Sequence, residues 1–197
     1  MSFLDYKEKI VCASKYFNLD EMIKIYNLGI TNFGENYVVS LLEKKEQLKH
    51  LPNIKWHLIG HLQTNKVKQI INEIDYLHTL DSIKLAEMIQ KYRQTPLSCF
   101  IQVNLEKSDS KSGIFVENLD NFIKELKNYD KINLIGLMTI GSHDDVVETE
   151  KIFIQLNELK RTYQLSQTSM GMSNDWQLAI KHHSDLLRIG SLFKGVI

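Results

Sequence analysis

The chain has 197 residues, of which 43% are hydrophobic and 24% charged, with 24 Lys plus Arg against 24 Asp plus Glu. That length suits one domain spanning residues 1–197, and a net charge of zero lacks the basic excess expected of a nucleic-acid binder. No apolar run approaches the ~20 residues of a membrane span, and the charges within Met1 to Ile10 argue against a signal peptide or anchor. The two cysteines, Cys12 in "KIVCAS" and Cys99 in "LSCFIQVNL", sit in apolar runs and read as buried, inert thiols. They point to a reducing, cytoplasmic setting.

Strand-length apolar runs recur along the chain. They are "KIVCAS" (9–14), "TNFGE" (31–35), "IKWHLIG" (54–60), "DYLHTL" (75–80), "LSCFIQVNL" (97–105), "INLIGLMTI" (132–140), "TSMGM" (168–172) and "LLRIGSLF" (186–193). The middle runs are apolar nearly end to end, as parallel strands covered on both faces require. Between them lie helical patterns. Leu119, Phe122, Ile123 and Leu126 follow an i, i+3, i+4, i+7 stripe, and Ile152, Phe153, Leu156, Leu159 and Tyr163 form another. Asp81 or Ser82 is expected to cap the helix "IKLAEMIQKY", and Asn118 the helix carrying Leu119. Eight strands alternating with helices, without a glycine-rich dinucleotide fingerprint, predict a (β/α)8 TIM-type barrel of parallel strands rather than an open doubly wound sheet.

In such a barrel the chemistry lies at the C-terminal strand ends, and phosphate is commonly held after strands 7 and 8. "SMGMSND" and "RIGS" fall at those ends. Gly171 and Gly190 would let backbone approach a ligand, and Ser173 and Ser191 would supply hydroxyls. The same residues also suit ordinary turns. Lys15 directly follows "IVCAS"; it is either a surface lysine or an amine placed to form an imine with a carbonyl ligand. With Arg188 just ahead of the second cradle, the set matches what pyridoxal phosphate (PLP) requires: an amine for its aldehyde, an anchor for its phosphate and a partner for its ring nitrogen. Asn36 in "NFGENYV" either lines the pocket or caps a helix. His57 and His61 in "WHLIGHLQTNK" lack a third ligand at a recognisable metal spacing, so they are expected as hydrogen-bonded histidines at the mouth, with no metal. "KHH" (181–183) reads as a helix C-terminal end. Lys107 and Lys111 belong to a polar loop, "EKSDSKSG", which is either plain surface or in touch with an anionic ligand.

In order, "FGENYV", "WHLIGHLQTNK", "LHTLDS", "IQVNLEKSDSKSG", "GLMTI", "SMGMSND" and "RIGS" resemble the motifs of the PLP homeostasis protein family, from about Ile10 to about Lys194. The resemblance implies a barrel like the N-terminal domain of bacterial alanine racemase. It implies PLP held as a Schiff base on Lys15, phosphate contacts from Ser173, Gly190 and Ser191, Arg188 facing the pyridine nitrogen, and Asn36 in the pocket. An arginine at the ring nitrogen leaves that nitrogen largely unprotonated and weakens the cofactor as an electron sink. The chain departs from the family pattern at its short start, at "YFN" after Lys15 and at its ending "SLFKGVI", so the barrel bottom and the final helix are expected to be trimmed. The function implied is an intracellular carrier or buffer of PLP, acting as a monomer and passing cofactor to PLP-dependent apoenzymes. The alternative is an amino-acid racemase, which needs a second base on the far side of the substrate. Few residues follow strand 8 to bring one, which favours the non-enzymatic reading.

Overall fold

The computed structural model describes residues 2–106 and 112–197. Among these, eight parallel strands form the barrel: β1 (Ile10–Ala13), β2 (Asn32–Glu35), β3 (Lys55–Leu58), β4 (Tyr76–Leu80), β5 (Leu97–Asn104), β6 (Ile132–Met138), β7 (Gln167–Met172) and β8 (Leu186–Ile189). Each pairs with the next, and β8 closes on β1 through Ile10–Leu187, Val11–Arg188 and Cys12–Ile189. Closure leaves no exposed edge in the ring. All eight expected strands are present. The last is shorter than its apolar run suggests: it ends at Ile189, and Ser191–Gly195 turns into a 3-10 helix.

The helices α1 (Leu19–Asn27), α2 (Val38–Gln47), α3 (Val67–Ile70), α4 (Ile83–Tyr92), α5 (Val116–Leu126), α6 (Val146–Thr162) and α7 (Trp176–Lys181) cover the outside. Their apolar stripes face inward, with Leu119, Phe122 and Leu126 of α5 and Ile152, Phe153 and Leu156 of α6 buried against the strands. Ser82 caps α4 by accepting the Leu85 N–H at 3.3 Å. Asn118 does not cap α5. A two-residue strand, Ile114–Phe115, pairs with the end of β5 and runs straight into the helix, which makes Phe115 the N-cap and leaves Asn118 inside the first turn.

The first and last segments of the chain pack against each other beside the C-terminal ends of β1 and β8. A 3-10 helix (Phe3–Lys9), started by a Ser2–Asp5 capping box, lays Phe3 edge-on against Phe193 with ring centroids 5.1 Å apart. Phe17 meets the same Phe193 ring at 6.3 Å. Both cysteines are buried and unbridged, and burial pushes both thiols well above their ordinary range. No helix of the described residues is long and apolar enough to cross a membrane.

Candidate functional site

Successive residues of a strand face opposite sides, so a barrel strand sends one set of side chains inward and the other to the helix layer. At the end of β1 this alternation separates two roles. Ser14 is fully buried; its hydroxyl donates to Glu35 Oε1 at 2.8 Å and contacts the Gly34 carbonyl at 3.1 Å. Glu35, also fully buried, pairs with Lys44 of α2, whose ammonium donates to the Ser14 carbonyl as well, at 2.7 Å. The next residue, Lys15, lies in a 3-10 turn at the mouth with its side chain exposed and its Nζ 4.8 Å from the Tyr16 ring centroid. The clasp behind the strand therefore fixes the backbone from which Lys15 projects.

Asn36 and Lys15 each stand two residues beyond the register pair Gly34–Ala13, and so at the same height on neighbouring strands. Asn36 lines a cavity of about 290 Å³ at the mouth, together with Gly60, Thr79, Asn104 and Met138. A Cβ on Gly60 would overlap the Asn36 carbonyl, so the glycine of "LIG" is what lets the end of β3 pass against the end of β2.

The remaining expected residues gather on the β7–β8 side. The Gly190 N–H donates to Ser173 Oγ at 3.2 Å, which joins the two proposed halves of the phosphate cradle directly. A Cβ on Gly190 would sit 3.3 Å from the Ala13 carbonyl and 3.4 Å from the Tyr16 ring, which puts this cradle beside the strand leading to Lys15. Ser191, exposed, begins the closing 3-10 turn. Arg188 is 5% exposed inside the barrel. Its Nη1 donates to the Ser169 carbonyl and Ser169 Oγ, both at 2.8 Å, and its Nη2 to the Thr139 carbonyl at 2.8 Å. Burial lowers its pKa to about 10, against the opposing pull of Asp175. Burial likewise raises Asp175 above the ordinary carboxylate range, offset by the Met172 N–H and by Arg188.

Two expectations are corrected. Gly171 is not where backbone approaches a ligand: it sits at φ +94° and its missing Cβ is the space taken by the Ala179 methyl of α7. His57 is not at the mouth. It is buried in the interior, between Asn32 and His78, and burial lowers its pKa to about 3. His61 stands apart from it, half exposed and 3.2 Å from Asp81. Among the described residues no group of three His, Cys, Asp or Glu side chains could hold a metal ion. "KHH" does end α7, with His182 as its C-cap. Lys107 and Lys111 lie outside the described residues.

Sequence reading passed over Ser14, Glu35 and Lys44 behind the mouth, and Asn32, His78 and Ser169 in the barrel interior. Their one visible signal is a polar residue interrupting an apolar strand, as in "YLHTL" and "TSMGM".

Residues 9–196 match the family model of the alanine racemase N-terminal domain. A pyridoxal phosphate homeostasis protein of Helicobacter pylori is 41% identical over 94% of this chain and 87% of its own length. One from Haemophilus influenzae is 35% identical over 95% of this chain and 84% of its own. The chain belongs to the pyridoxal phosphate homeostasis protein family. Among solved structures it resembles PipY of Synechococcus elongatus with PLP bound, at TM-score 0.84 and 27% identity over 95% of this chain and 92% of PipY. Alanine racemase of Corynebacterium glutamicum shares the fold alone, at TM-score 0.72 and 13% identity over 98% of this chain and 57% of that enzyme. The barrel is thus of the alanine racemase N-terminal type, as the ordered motifs of this homeostasis-family chain imply.

Proposed function

We propose that the chain, one barrel over residues 1–197, binds pyridoxal 5'-phosphate as a Schiff base on Lys15 and serves as a carrier or buffer of the cofactor in the cytoplasm. The observation that supports this reading is that Gly190, whose N–H donates to Ser173 Oγ, packs against Ala13 and Tyr16, the residues that flank Ser14 and the exposed Lys15. The donor set fits the group. A phosphate is met by the Ser173 and Ser191 hydroxyls and backbone N–H groups, the aldehyde by an amine, and the ring nitrogen by a guanidinium that can only donate. Bound there, PLP supplies a reversible covalent link to amines. The chain's own residues hold its phosphate, orient its ring and keep the amine accessible, while Asn36 lines the face of the pocket toward β3. The names of the curated relatives and the PLP-bound PipY structure support the same reading. Delivery to PLP-dependent apoenzymes, and action as a monomer, are part of the proposal.

A racemase is the second reading, and one observation weighs against it. His57, a histidine expected at the mouth, has Nδ1 bonded to His78 and Nε2 to Asn32, which leaves neither nitrogen to move a substrate proton. The deciding experiment is the visible spectrum of purified protein loaded with PLP, before and after borohydride, followed by peptide mapping. We expect an imine band fixed by reduction onto Lys15. Labelling at Lys107 or Lys111 with Lys15 untouched would overturn the assignment. Incubated with L-alanine, the loaded protein should form no D-isomer at ordinary enzyme rates, of order 1 s⁻¹ or more; turnover at that rate would establish the racemase.

A further inference from the structure

The barrel interior holds a line of polar side chains that the proposed function does not use. It crosses from β2 to β8. Asn32 Oδ1 is 3.0 Å from His57 Nε2, His57 Nδ1 is 2.9 Å from His78 Nε2, and His78 Nδ1 is 2.9 Å from Ser169 Oγ. Ser169 Oγ in turn is 2.8 Å from Arg188 Nη1. His57, His78, Ser169 and Arg188 are all buried. Both imidazoles are also clamped by stacking: His57 on Tyr76 with centroids 4.3 Å apart, His78 on Phe100 at 4.6 Å.

The direction of every bond follows from valence. A guanidinium only donates, so Ser169 Oγ accepts from Arg188. The single Ser169 O–H then goes to His78 Nδ1. With Nδ1 accepting, His78 carries its proton on Nε2 and donates to His57 Nδ1. His57 carries its own on Nε2 and donates to Asn32 Oδ1. Run the other way, the chain would leave the Ser169 proton without this acceptor, which is costly in a buried site. Arg188 at one end therefore sets the tautomer of two histidines, and the histidines lock the hydroxyl on which Arg188 rests.

We infer that His57 and His78, acting through Ser169, are positioning residues that hold the Arg188 guanidinium in the orientation from which it meets the ring of the cofactor. The inference rests on the reading of Arg188 as the ring-nitrogen partner. Its mechanism is the removal of alternatives. With its O–H committed to His78, Ser169 presents only lone pairs to Arg188, and the carbonyls of Ser169 and Thr139 each take one further Nη proton.

The test has two arms. In the protein without PLP, long-range proton–nitrogen NMR near neutral pH should show both histidines neutral with the proton on Nε2. A proton on Nδ1 of either ring would overturn the relay, whatever the protein binds. In the loaded protein, His78→Phe keeps the stack on Phe100 but removes the acceptor. It should weaken PLP binding about tenfold, as expected for losing support of a charged hydrogen bond, and shift the absorption band of bound PLP. His78→Asn, which can offer an oxygen near the Nδ1 position, should restore most of both. A His78→Phe protein that folds, by circular dichroism, and binds PLP with wild-type affinity and band overturns the inference. If that variant does not fold, Ser169→Ala, a smaller change, must show the same loss, and wild-type binding there is the overturning result. A wild-type protein that takes up no PLP would instead bring down the proposed function, and the NMR arm would still decide whether the relay exists.

Discussion

Lys15 and Lys44 approach the end of β1 from opposite sides, and they have opposite fates. The Lys44 ammonium is largely buried in the helix layer and spends its donors on Glu35 and the Ser14 carbonyl. The Lys15 amine, one residue along, is exposed at the mouth over the Tyr16 ring. Two identical side chains are thus divided between structure and chemistry by which face of one strand they meet. A charged group fully engaged inside the protein governs stability; one left at the mouth is available to a ligand. The same division separates the buried His57 and His78 from the Ser191 hydroxyl at the mouth.

The comparison is broken most directly at Lys15. Lys15→Ala should abolish the borohydride-reducible attachment of PLP altogether while leaving the unfolding midpoint within about 0.5 kcal/mol of wild type, as for an exposed substitution. A large stability loss would show that Lys15 is structural after all. Lys44→Ala should do the reverse. Removing the cation leaves the Glu35 carboxylate buried and unpaired, with its second oxygen already lacking a hydrogen-bond partner among the described residues. Such losses cost about 3–5 kcal/mol in buried sites, and toward the lower end here because Lys44 retains some exposure. Urea unfolding provides the measurement, and a midpoint unchanged from wild type would deny the clasp its role.

Acid sharpens the distinction further. The folded-state pKa of His57 is depressed to about 3 and that of His78 lies well below its ordinary value, burial being the main cause of both. The unfolded chain therefore takes up these protons first. Their contribution to stability is fully present above about pH 6.5 and is lost as pH falls below it, by up to about 1.4 kcal/mol per pH unit for each histidine, until the folded pKa is reached. Urea midpoints between pH 7 and pH 5 should fall accordingly, and His57→Phe should flatten that dependence. The smallest effects belong to the mouth. Ser173→Ala and Ser191→Ala should each weaken PLP retention by roughly three- to tenfold, the scale of one charge-assisted hydrogen bond, with little change in unfolding. Pyridoxal, lacking the phosphate, should bind poorly to wild type and variants alike; equal affinity for PLP and pyridoxal would remove the cradle.

Local chemistry was enough for much of this. Apolar runs of strand length located all eight strands because a strand covered on both faces must be apolar along its length. Periodic stripes located α5 and α6 because a helix buries one face every 3.6 residues. The ordered motifs assigned the family; Lys15, Asn36, Ser173, Arg188, Gly190 and Ser191 as its cofactor contacts are what the resemblance implies and belong to the proposal. The failures share a cause. Asn118 was chosen as a cap from its side chain alone, but the helix start was settled by Ile114–Phe115 pairing with Val103–Asn104 of β5. Gly171 suits a ligand loop by composition, yet its freedom is used by the packing of α7.

His57 makes the point most sharply. Its place beside "LIGHL" suggested the mouth, whereas its partners His78 and Asn32 lie 21 and 25 residues away, and Ser169 lies another 91 beyond His78. Residue types and two-residue alternation determine that such side chains can point into a barrel. Which of them meet, at what depth, and which end up sharing a proton is decided only when β8 closes on β1 and the register of all eight strands is set together, because hydrogen bonds between distant residues have no signature in the spacing of either.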